Sequence, residues 1–201
     1  MRQIKTVLFD LGNVLGYINF DAFWRSLGFN EMDKQSPCAV RYKELTRQYE
    51  TGFIHTEEYL KKLYSLFENR FTILQLQQAV ESIIEEPVEG MLKLVQKVSA
   101  KYQTALVSNT NEIHYKFSVK RFETLRILQK HYLSYQLHVM KPADRFYHAI
   151  INDLQIKPAE MLFVDDIQIN VDGAITAGMQ AIKFENPAQL EANLKILGVL
   201  F

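Results

Sequence analysis

Four short apolar runs alternate with segments of helical periodicity over most of the chain, and this pattern predicts an α/β fold. Strands that alternate with helices form right-handed βαβ units, so we expect a parallel sheet covered by helices on both faces. The predicted strands lie at residues 4–9, 104–107, 161–164 and, more weakly, 180–184. The helical patterns between them lie at residues 90–100, 146–154 and 170–177.

Residues 17 to about 87 break this alternation. Helix-period stretches at 56–67 and 73–84 lie in this segment, and no strand-like run interrupts them. The sequence Glu-Glu-Pro at residues 85–87 is expected to end the last helix. We therefore expect a three-layer α/β sandwich of residues 1–15 and 88–201, with residues 16–87 inserted as an all-helical domain.

The composition of the chain argues against nucleic-acid-binding, membrane-spanning and secreted proteins. The chain has 201 residues, of which 48% are apolar, and its 23 basic residues balance its 23 acidic ones. A neutral chain lacks the strongly positive footprint of a general nucleic-acid binder. The apolar runs are too short to cross a bilayer, and Asp10 comes too early for a signal peptide. We expect a cytoplasmic protein without nucleic-acid or membrane partners.

Candidate chemistry lies where three of the predicted strands end. Asp10, Ser108-Asn109 and Asp165-Asp166 each come directly after an apolar run. Ligands of an open α/β sheet bind beyond the carboxyl ends of its strands, so these residues are expected to share one crevice. The same residue types are also common in turns and helix caps. Three such groups at three strand ends nevertheless favour a binding site.

A carboxylate at such a position can act as a nucleophile in phosphoryl transfer and can help to hold a divalent cation. Asp10 and one of the pair Asp165 and Asp166 can supply the carboxylates for a cation. A lysine ammonium can neutralise the remaining charge of a phosphoryl group. Lys141, which precedes Pro142, is the candidate lysine. The residues alone therefore point to metal-assisted phosphoryl transfer.

Several segments, in order along the chain, resemble the motifs of the haloacid dehalogenase-like hydrolase superfamily. The first, FDLGNVL, is similar to the DxGNV variant of bacterial sugar-phosphatase-like members, which include the alpha-glucose-1-phosphate phosphatase group. The segment at residues 49–59, YETGFIHTEEY, is similar to the cap segment of the family. The four motifs lie at residues 9–15, 106–111, 132–142 and 163–179.

The resemblance implies a Rossmann-like α/β core and a role for each catalytic and metal-binding residue. Asp10 is expected to be the nucleophile and a Mg²⁺ ligand, and the Gly12 carbonyl and Asp166 are expected to complete the protein ligands. Lys141 is expected to be the second catalytic residue, which braces the phosphoryl group. Asp165 is expected to be an auxiliary ligand or a supporting acid.

The resemblance also implies how substrate is bound. Ser108 and the Asn109 amide are expected to hold phosphoryl oxygens, so that Gly12, Ser108, Asn109 and Lys141 form the substrate-binding set. The inserted domain is expected to be a cap that closes over the site, excludes water and selects the substrate. The implied ligand is a small phosphorylated metabolite, bound by a monomer or a homodimer.

The chain departs from the family pattern in its acids. Most phosphatases of this superfamily have a second aspartate two residues after the nucleophile, where this chain has Gly12. General acid–base catalysis contributes ~10²–10⁴-fold to a rate. The next loop offers Tyr17 and Asn19 and therefore no substitute acid, and Asn170 stands where many members have a further acid.

Three interpretations remain open from the sequence. The leading one is a Mg²⁺-dependent phosphatase of a small phosphomonoester, with a sugar phosphate as a candidate, which acts through an aspartyl-phosphate on Asp10. The second is a degenerate, non-catalytic member that binds a phosphorylated ligand or a protein, and Gly12 and Asn170 favour it. The third, a 2-haloacid dehalogenase, is weaker, because such dehalogenases need no metal whereas Asp165-Asp166 suits a cation site.

Overall fold

The computed structural model describes residues 3–31 and 33–199, so the ends of the expected domain ranges, residues 1–2 and 200–201, lie outside the described residues, as does residue 32. The strands are β1 (Thr6–Phe9), β2 (Gly16–Ile18), β3 (Ile84–Pro87), β4 (Gln103–Ser108), β5 (Lys130–Leu133), β6 (Met161–Asp165) and β7 (Gln180–Lys183). The helices are α1 (Asp21–Ser26), α2 (Pro37–Glu50), α3 (Thr56–Leu66), α4 (Ile73–Glu81), α5 (Met91–Ser99), α6 (Glu112–Arg121), α7 (Glu123–Ile127), α8 (Ser134–Leu137), α9 (Asp144–Leu154), α10 (Gln168–Thr176) and α11 (Pro187–Ile196).

A five-stranded sheet in the order β5-β4-β1-β6-β7 forms the centre of the fold, and every neighbouring pair in it is parallel. Side chains alternate between its two faces. Along β1, Val7 and Phe9 pack against α5, α7 and α11, whereas Leu8 packs against α9 and α10 on the opposite face. Helices therefore cover both faces of the sheet, and the predicted α/β sandwich with a parallel sheet is confirmed.

The segment between β2 and β3 is helical and has its own apolar cluster. Helices α1 to α4 contribute most of the buried side chains of this cluster, Ile113 of α6 also joins it, and aromatic rings form much of it. Phe23 stacks on Tyr42 with ring centroids 4.2 Å apart, and Tyr49 stacks on Tyr59 at 4.4 Å. Offset aromatic pairs stabilise such a cluster beyond the area they bury.

Two predictions for this segment were wrong at its ends. The helix expected at 73–84 stops at Glu81, and Ile84–Pro87 form a strand instead of a helix end. This strand pairs antiparallel with β2, so two short strands join the helical segment to the sheet domain. Pairing between the two ends of the segment stabilises an extended backbone that the local sequence does not favour.

No helix among residues 3–31 and 33–199 is both long enough and apolar enough to cross a membrane.

Candidate active site

The strand order places three polar strand ends side by side. Strand β1 lies between β4 and β6, and the register pairs Phe9 with Leu106 on one side and with Val164 on the other. The residue after Phe9 is Asp10, whose backbone N–H donates to the Val164 carbonyl over 2.9 Å. The parallel strands thus bring Asp10 between the ends of β4 and β6, as the sequence predicted.

The Lys141 ammonium lies at the centre of the site. Its Nζ donates to Asp10 Oδ1 over 2.7 Å, to Asp165 Oδ2 over 2.7 Å and to the Val107 carbonyl over 3.0 Å. The Lys141 side chain is only 1% exposed, and these three acceptors satisfy all three of its N–H donors. The ammonium is therefore fixed between two carboxylates from neighbouring strand ends.

Asp165 holds Lys141 in place and has little capacity left for a ligand. Besides the Lys141 contact, its carboxylate accepts hydrogen bonds from the backbone N–H of Ile167 at 2.8 Å and from Asn170 Nδ2 at 3.1 Å. Asn170 therefore has a clear role as an amide donor to a buried carboxylate. An acid at that position would face Asp165 with a like charge.

Three carboxylates form a group that could bind a cation. One oxygen from each of Asp10, Asp165 and Asp166 lies within 4.8 Å of the other two. Asp166 Oδ2 accepts a hydrogen bond from Asn13 Nδ2 at 3.1 Å, which orients its carboxylate. Because Asp165 already accepts from three groups, Asp10 and Asp166 are the better placed ligands. This oxygen-only donor set fits a hard divalent cation such as Mg²⁺.

Burial and charge control the protonation of these groups. Burial raises the pKa of the Asp10 carboxyl to about 7, and the Asp165 carboxylate adds to this effect while the Lys141 ammonium opposes it. Burial disfavours the Lys141 ammonium, but the two carboxylates outweigh it and raise the pKa of Lys141. Burial also raises the pKa of Asp166, against the hydrogen bond from Asn13. A bound cation would favour the ionised form of Asp10.

The predicted substrate-binding residues Ser108 and Asn109 lie at the end of β4, beside this cluster. Ser108 is buried. The Asn109 side chain exchanges two hydrogen bonds with the Lys141 backbone, from Lys141 N–H to Oδ1 at 2.8 Å and from Nδ2 to the Lys141 carbonyl at 2.9 Å. The side chain of Asn109 thus positions Lys141, which leaves its backbone N–H for the phosphoryl contact expected from the sequence.

A small pocket of about 40 Å³ lies where the helical segment meets these strand ends. Gly12, Ser108 and Asn109 line it from the sheet side, and Ile18 and Glu50 line it from the helical side. A Cβ atom on Gly12 would lie 2.9 Å from Ile18 Cδ1. A side chain at position 12 would therefore require the end of the Ile18 side chain to move.

Sequence reasoning missed Glu50 as a site residue. The sequence analysis considered only Tyr17 and Asn19 in the loop after β1 as positions for a substitute acid. Glu50 instead ends α2, about forty residues after β1. The available signal was its place in the segment at 49–59, which is similar to the cap segment of the family. Phe20, which also lies in the inserted segment, is 60% exposed and lines the pocket.

The sequence matches the haloacid dehalogenase-like hydrolase family over residues 4–178, which is most of the chain. The protein belongs to this family. Its parallel sheet, its strand-end aspartates and its buried lysine are thus those of a haloacid dehalogenase-like hydrolase, and the resemblance stated from the motifs is confirmed. The match also makes the protein an enzyme of the hydrolase class.

Two characterised relatives of this haloacid dehalogenase-like hydrolase are phosphatases. The D-ribitol-5-phosphate phosphatase of Bacteroides thetaiotaomicron is 28% identical over 207 residues, which cover 97% of this chain and 98% of the relative. The flavin mononucleotide hydrolase 1 of Arabidopsis thaliana is 25% identical over 199 residues, which cover 98% of this chain and 79% of the relative. Both relatives act on phosphorylated small molecules.

Solved structures show the same architecture. A haloacid dehalogenase family enzyme from B. thetaiotaomicron superposes with a TM-score of 0.83 and 27% identity, covering 92% of this chain and 95% of that one. A complex of that enzyme with magnesium and inorganic phosphate superposes with a TM-score of 0.77, also at 27% identity, covering 91% of this chain and 95% of that one. That complex therefore contains the kind of cation that the carboxylate cluster described above would suit, together with inorganic phosphate.

Proposed function

We propose that this hydrolase is a magnesium-dependent phosphatase of a small phosphomonoester, through an aspartyl-phosphate on Asp10, with a sugar or sugar-alcohol phosphate as its substrate class. The observation that carries the proposal is the buried Lys141 ammonium between Asp10 and Asp165, at the sheet edge where β4 ends in the buried Ser108. The related D-ribitol-5-phosphate phosphatase supports the substrate class.

We infer that Asp10, the Gly12 carbonyl and Asp166 hold the magnesium ion. The ion would supply positive charge that neutralises the phosphoryl oxygens and orients them toward Asp10. Three carboxylates with one lysine leave the cluster anionic, so a dianionic phosphate ester needs this additional charge.

The protein residues have distinct parts in the proposed reaction. The Asp10 carboxylate attacks phosphorus, and a P–O bond to Asp10 forms as the P–O bond to the alcohol breaks. Lys141 stabilises the negative charge, and the Ser108 hydroxyl donates to a phosphoryl oxygen. The alcohol leaves after it takes up a proton. A water molecule that gives up a proton then attacks the phosphoryl group, which releases phosphate and restores Asp10.

Residues 16–87 would act as the cap in this proposal. The pocket of about 40 Å³ lies between this segment and the strand ends, so a closed cap would surround the ester oxygen and exclude bulk water. Pocket walls from both Ile18 and Glu50 would then contribute to substrate selection. The domain boundaries at residues 15/16 and 87/88 are part of the proposal.

Phosphate release from a panel of phosphomonoesters, with and without Mg²⁺, tests the function. We expect Mg²⁺-dependent turnover in the wild type and a loss of at least about 10⁴-fold in Asp10→Asn, which removes the nucleophile but keeps the side-chain volume. Circular dichroism and a thermal melt serve as the folding control. Tight phosphate binding without turnover of any ester would instead identify a non-catalytic phosphate binder.

A further inference from the structure

We propose that Glu50, at the end of α2, is the general acid and base of this phosphatase and replaces the aspartate that is absent at position 12. The juxtaposition behind this proposal is that Glu50 lines the same small pocket as Gly12 and Ser108. The inference rests on the proposed function, because it assigns the proton transfers of that reaction.

The chemistry requires a proton donor near the ester oxygen. An alcohol of a sugar or sugar alcohol is a poor leaving group unless it is protonated as the P–O bond breaks. The cap side of the pocket is where the ester oxygen would lie, because Asp10 and Ser108 approach the phosphoryl group from the sheet side. An acid on the cap side is therefore the group that can reach it.

Elimination among the pocket residues leaves Glu50. The two residues with a titratable side chain that line the pocket are Glu50 and His114. Both His114 ring nitrogens are already used, since Nδ1 lies 3.0 Å from Asn111 Nδ2 and Nε2 lies 3.0 Å from the Val80 carbonyl. Burial also lowers the pKa of His114 to about 4, so it stays neutral. His114 is thus a structural residue.

Hydrogen bonds fix Glu50 relative to the strand end that carries Ser108. The Glu50 carbonyl accepts from Ser134 Oγ at 2.6 Å, and Ser134 Oγ in turn accepts from the Thr110 N–H at 2.9 Å. Just beyond α2, Gly52 has a left-handed backbone, and a Cβ atom there would collide with the Tyr135 carbonyl. The cap backbone thus packs closely on the core beside Glu50, which fixes the backbone from which its side chain extends.

The charge state of Glu50 suits proton transfer near neutral pH. Among the described residues its carboxyl makes no hydrogen bond or ion pair, and burial alone raises its pKa to about 7. The titratable neighbours that face it are Tyr42 and Tyr59, whose pKa values burial raises, so both stay neutral. Both forms of Glu50 are therefore populated at neutral pH, as a group that donates and then accepts a proton requires.

The proton balance closes over the cycle. In the first step the protonated Glu50 carboxyl gives its proton to the leaving alcohol oxygen, while the Asp10 carboxylate forms its bond to phosphorus. In the second step the Glu50 carboxylate takes a proton from the attacking water, whose oxygen forms a P–O bond as the bond to Asp10 breaks. Glu50 is then protonated again and Asp10 is a free carboxylate.

The test compares Glu50→Gln with wild type on an alkyl phosphate and on p-nitrophenyl phosphate, in the presence of Mg²⁺. We expect turnover of the alkyl ester to fall by about 10²–10³-fold. With the aryl ester, whose leaving group needs no proton, we expect a burst of about one equivalent of nitrophenol followed by slow turnover, because only the second step then needs Glu50. Glu44→Gln, on the exposed side of the same helix, is the matched control and should match wild type.

Three outcomes would overturn the proposal. The first is unchanged alkyl-ester turnover in Glu50→Gln, and the second is a rise in KM with unchanged kcat, which would make Glu50 a binding residue. The third is an equal loss on both esters without a burst. A wild type that hydrolyses no ester would instead refute the proposed function, and that failure appears before any variant is made. A thermal melt excludes misfolding of Glu50→Gln as the cause of a loss.

Discussion

Two acidic sites in this molecule hold their carboxyls in different ways. At the strand ends, Asp10 and Asp165 share the Lys141 ammonium, with both Nζ–O distances at 2.7 Å. At the end of α2, Glu50 faces the same pocket with no partner for its carboxyl among the described residues. One site is a group of carboxylates that an ammonium holds in place, and the other is a single acid without an ion-pair partner among the described residues.

The comparison shows that pairing, rather than burial alone, decides what a buried carboxyl can do. A paired group keeps its geometry, which suits a nucleophile that must stay aligned. For the unpaired Glu50 carboxyl, burial disfavours the charged form and no ion pair opposes this effect, so its proton is exchanged near neutral pH. Substitutions that remove an ion-pair partner, a single carboxyl or a single hydroxyl should therefore change the free energy of unfolding by different amounts.

Lys141→Met should have the largest effect on stability. The substitution leaves Asp10 and Asp165 as two uncompensated buried carboxyls, so we expect the free energy of unfolding to fall by about 3–5 kcal/mol at neutral pH. Urea unfolding in the presence of a metal chelator measures it. The matched control is Lys130→Met, which removes an exposed ion pair with Asp153 and should cost no more than about 1 kcal/mol. Equal losses in the two variants would contradict the role of Lys141.

Glu50→Gln should have an intermediate effect that depends on pH. The pKa of Glu50 rises from 4.5 to about 7 on folding, because burial favours the protonated carboxyl. The free energy of unfolding of the wild type therefore has its full value below pH 4.5 and falls as the pH rises through 7. Gln carries no proton to lose. We expect the two proteins to be equally stable at acid pH, and Glu50→Gln to be more stable by about 1–3 kcal/mol at pH 8. A difference that does not change with pH would refute the unpaired state of Glu50.

Ser118→Ala should have the smallest effect and extends the comparison to an uncharged group. Ser118 Oγ is buried without a hydrogen-bond partner among the described residues, so its removal should raise the free energy of unfolding by up to about 1 kcal/mol. Ser134→Ala is the opposite case, because the Ser134 hydroxyl forms hydrogen bonds with the backbone of Glu50 and Thr110. We expect this substitution to lower the free energy of unfolding by about 1–2 kcal/mol. Denaturant unfolding of both variants checks the contrast in sign.

The parts of the fold that the sequence predicted are those with strong apolar periodicity. The buried runs that became β1, β4 and β6 were predicted within one or two residues at each end. The edge strand β5 was missed, since Lys130 and His131 make half of it polar and only its pairing with β4 defines it. Strands β2 and β3 were missed for the same reason, because tertiary pairing decides such short segments.

The site was predictable as far as its residues adjoin apolar runs. Asp10, Ser108 and Asp166 could be placed together because parallel strands end at one edge. Glu50 and Ser108 line the same pocket but come from different domains of the proposed architecture. No local sequence pattern therefore reveals that they lie near each other. No sequence pattern indicated that the side chain of Asn109 holds the Lys141 backbone.

The Ser134 hydrogen bonds bear on how this hydrolase can be redesigned. They attach the backbone of Glu50 to the core, while the Glu50 side chain belongs to the inserted segment. Grafting residues 16–87 from another member would thus exchange the proposed proton-transferring group along with the pocket walls that this segment supplies. We expect a chimaera to turn over its new substrate quickly only if the graft has an acidic residue at the end of its second helix. The backbone carbonyl of that residue must also lie where it can accept the hydrogen bond from Ser134 Oγ.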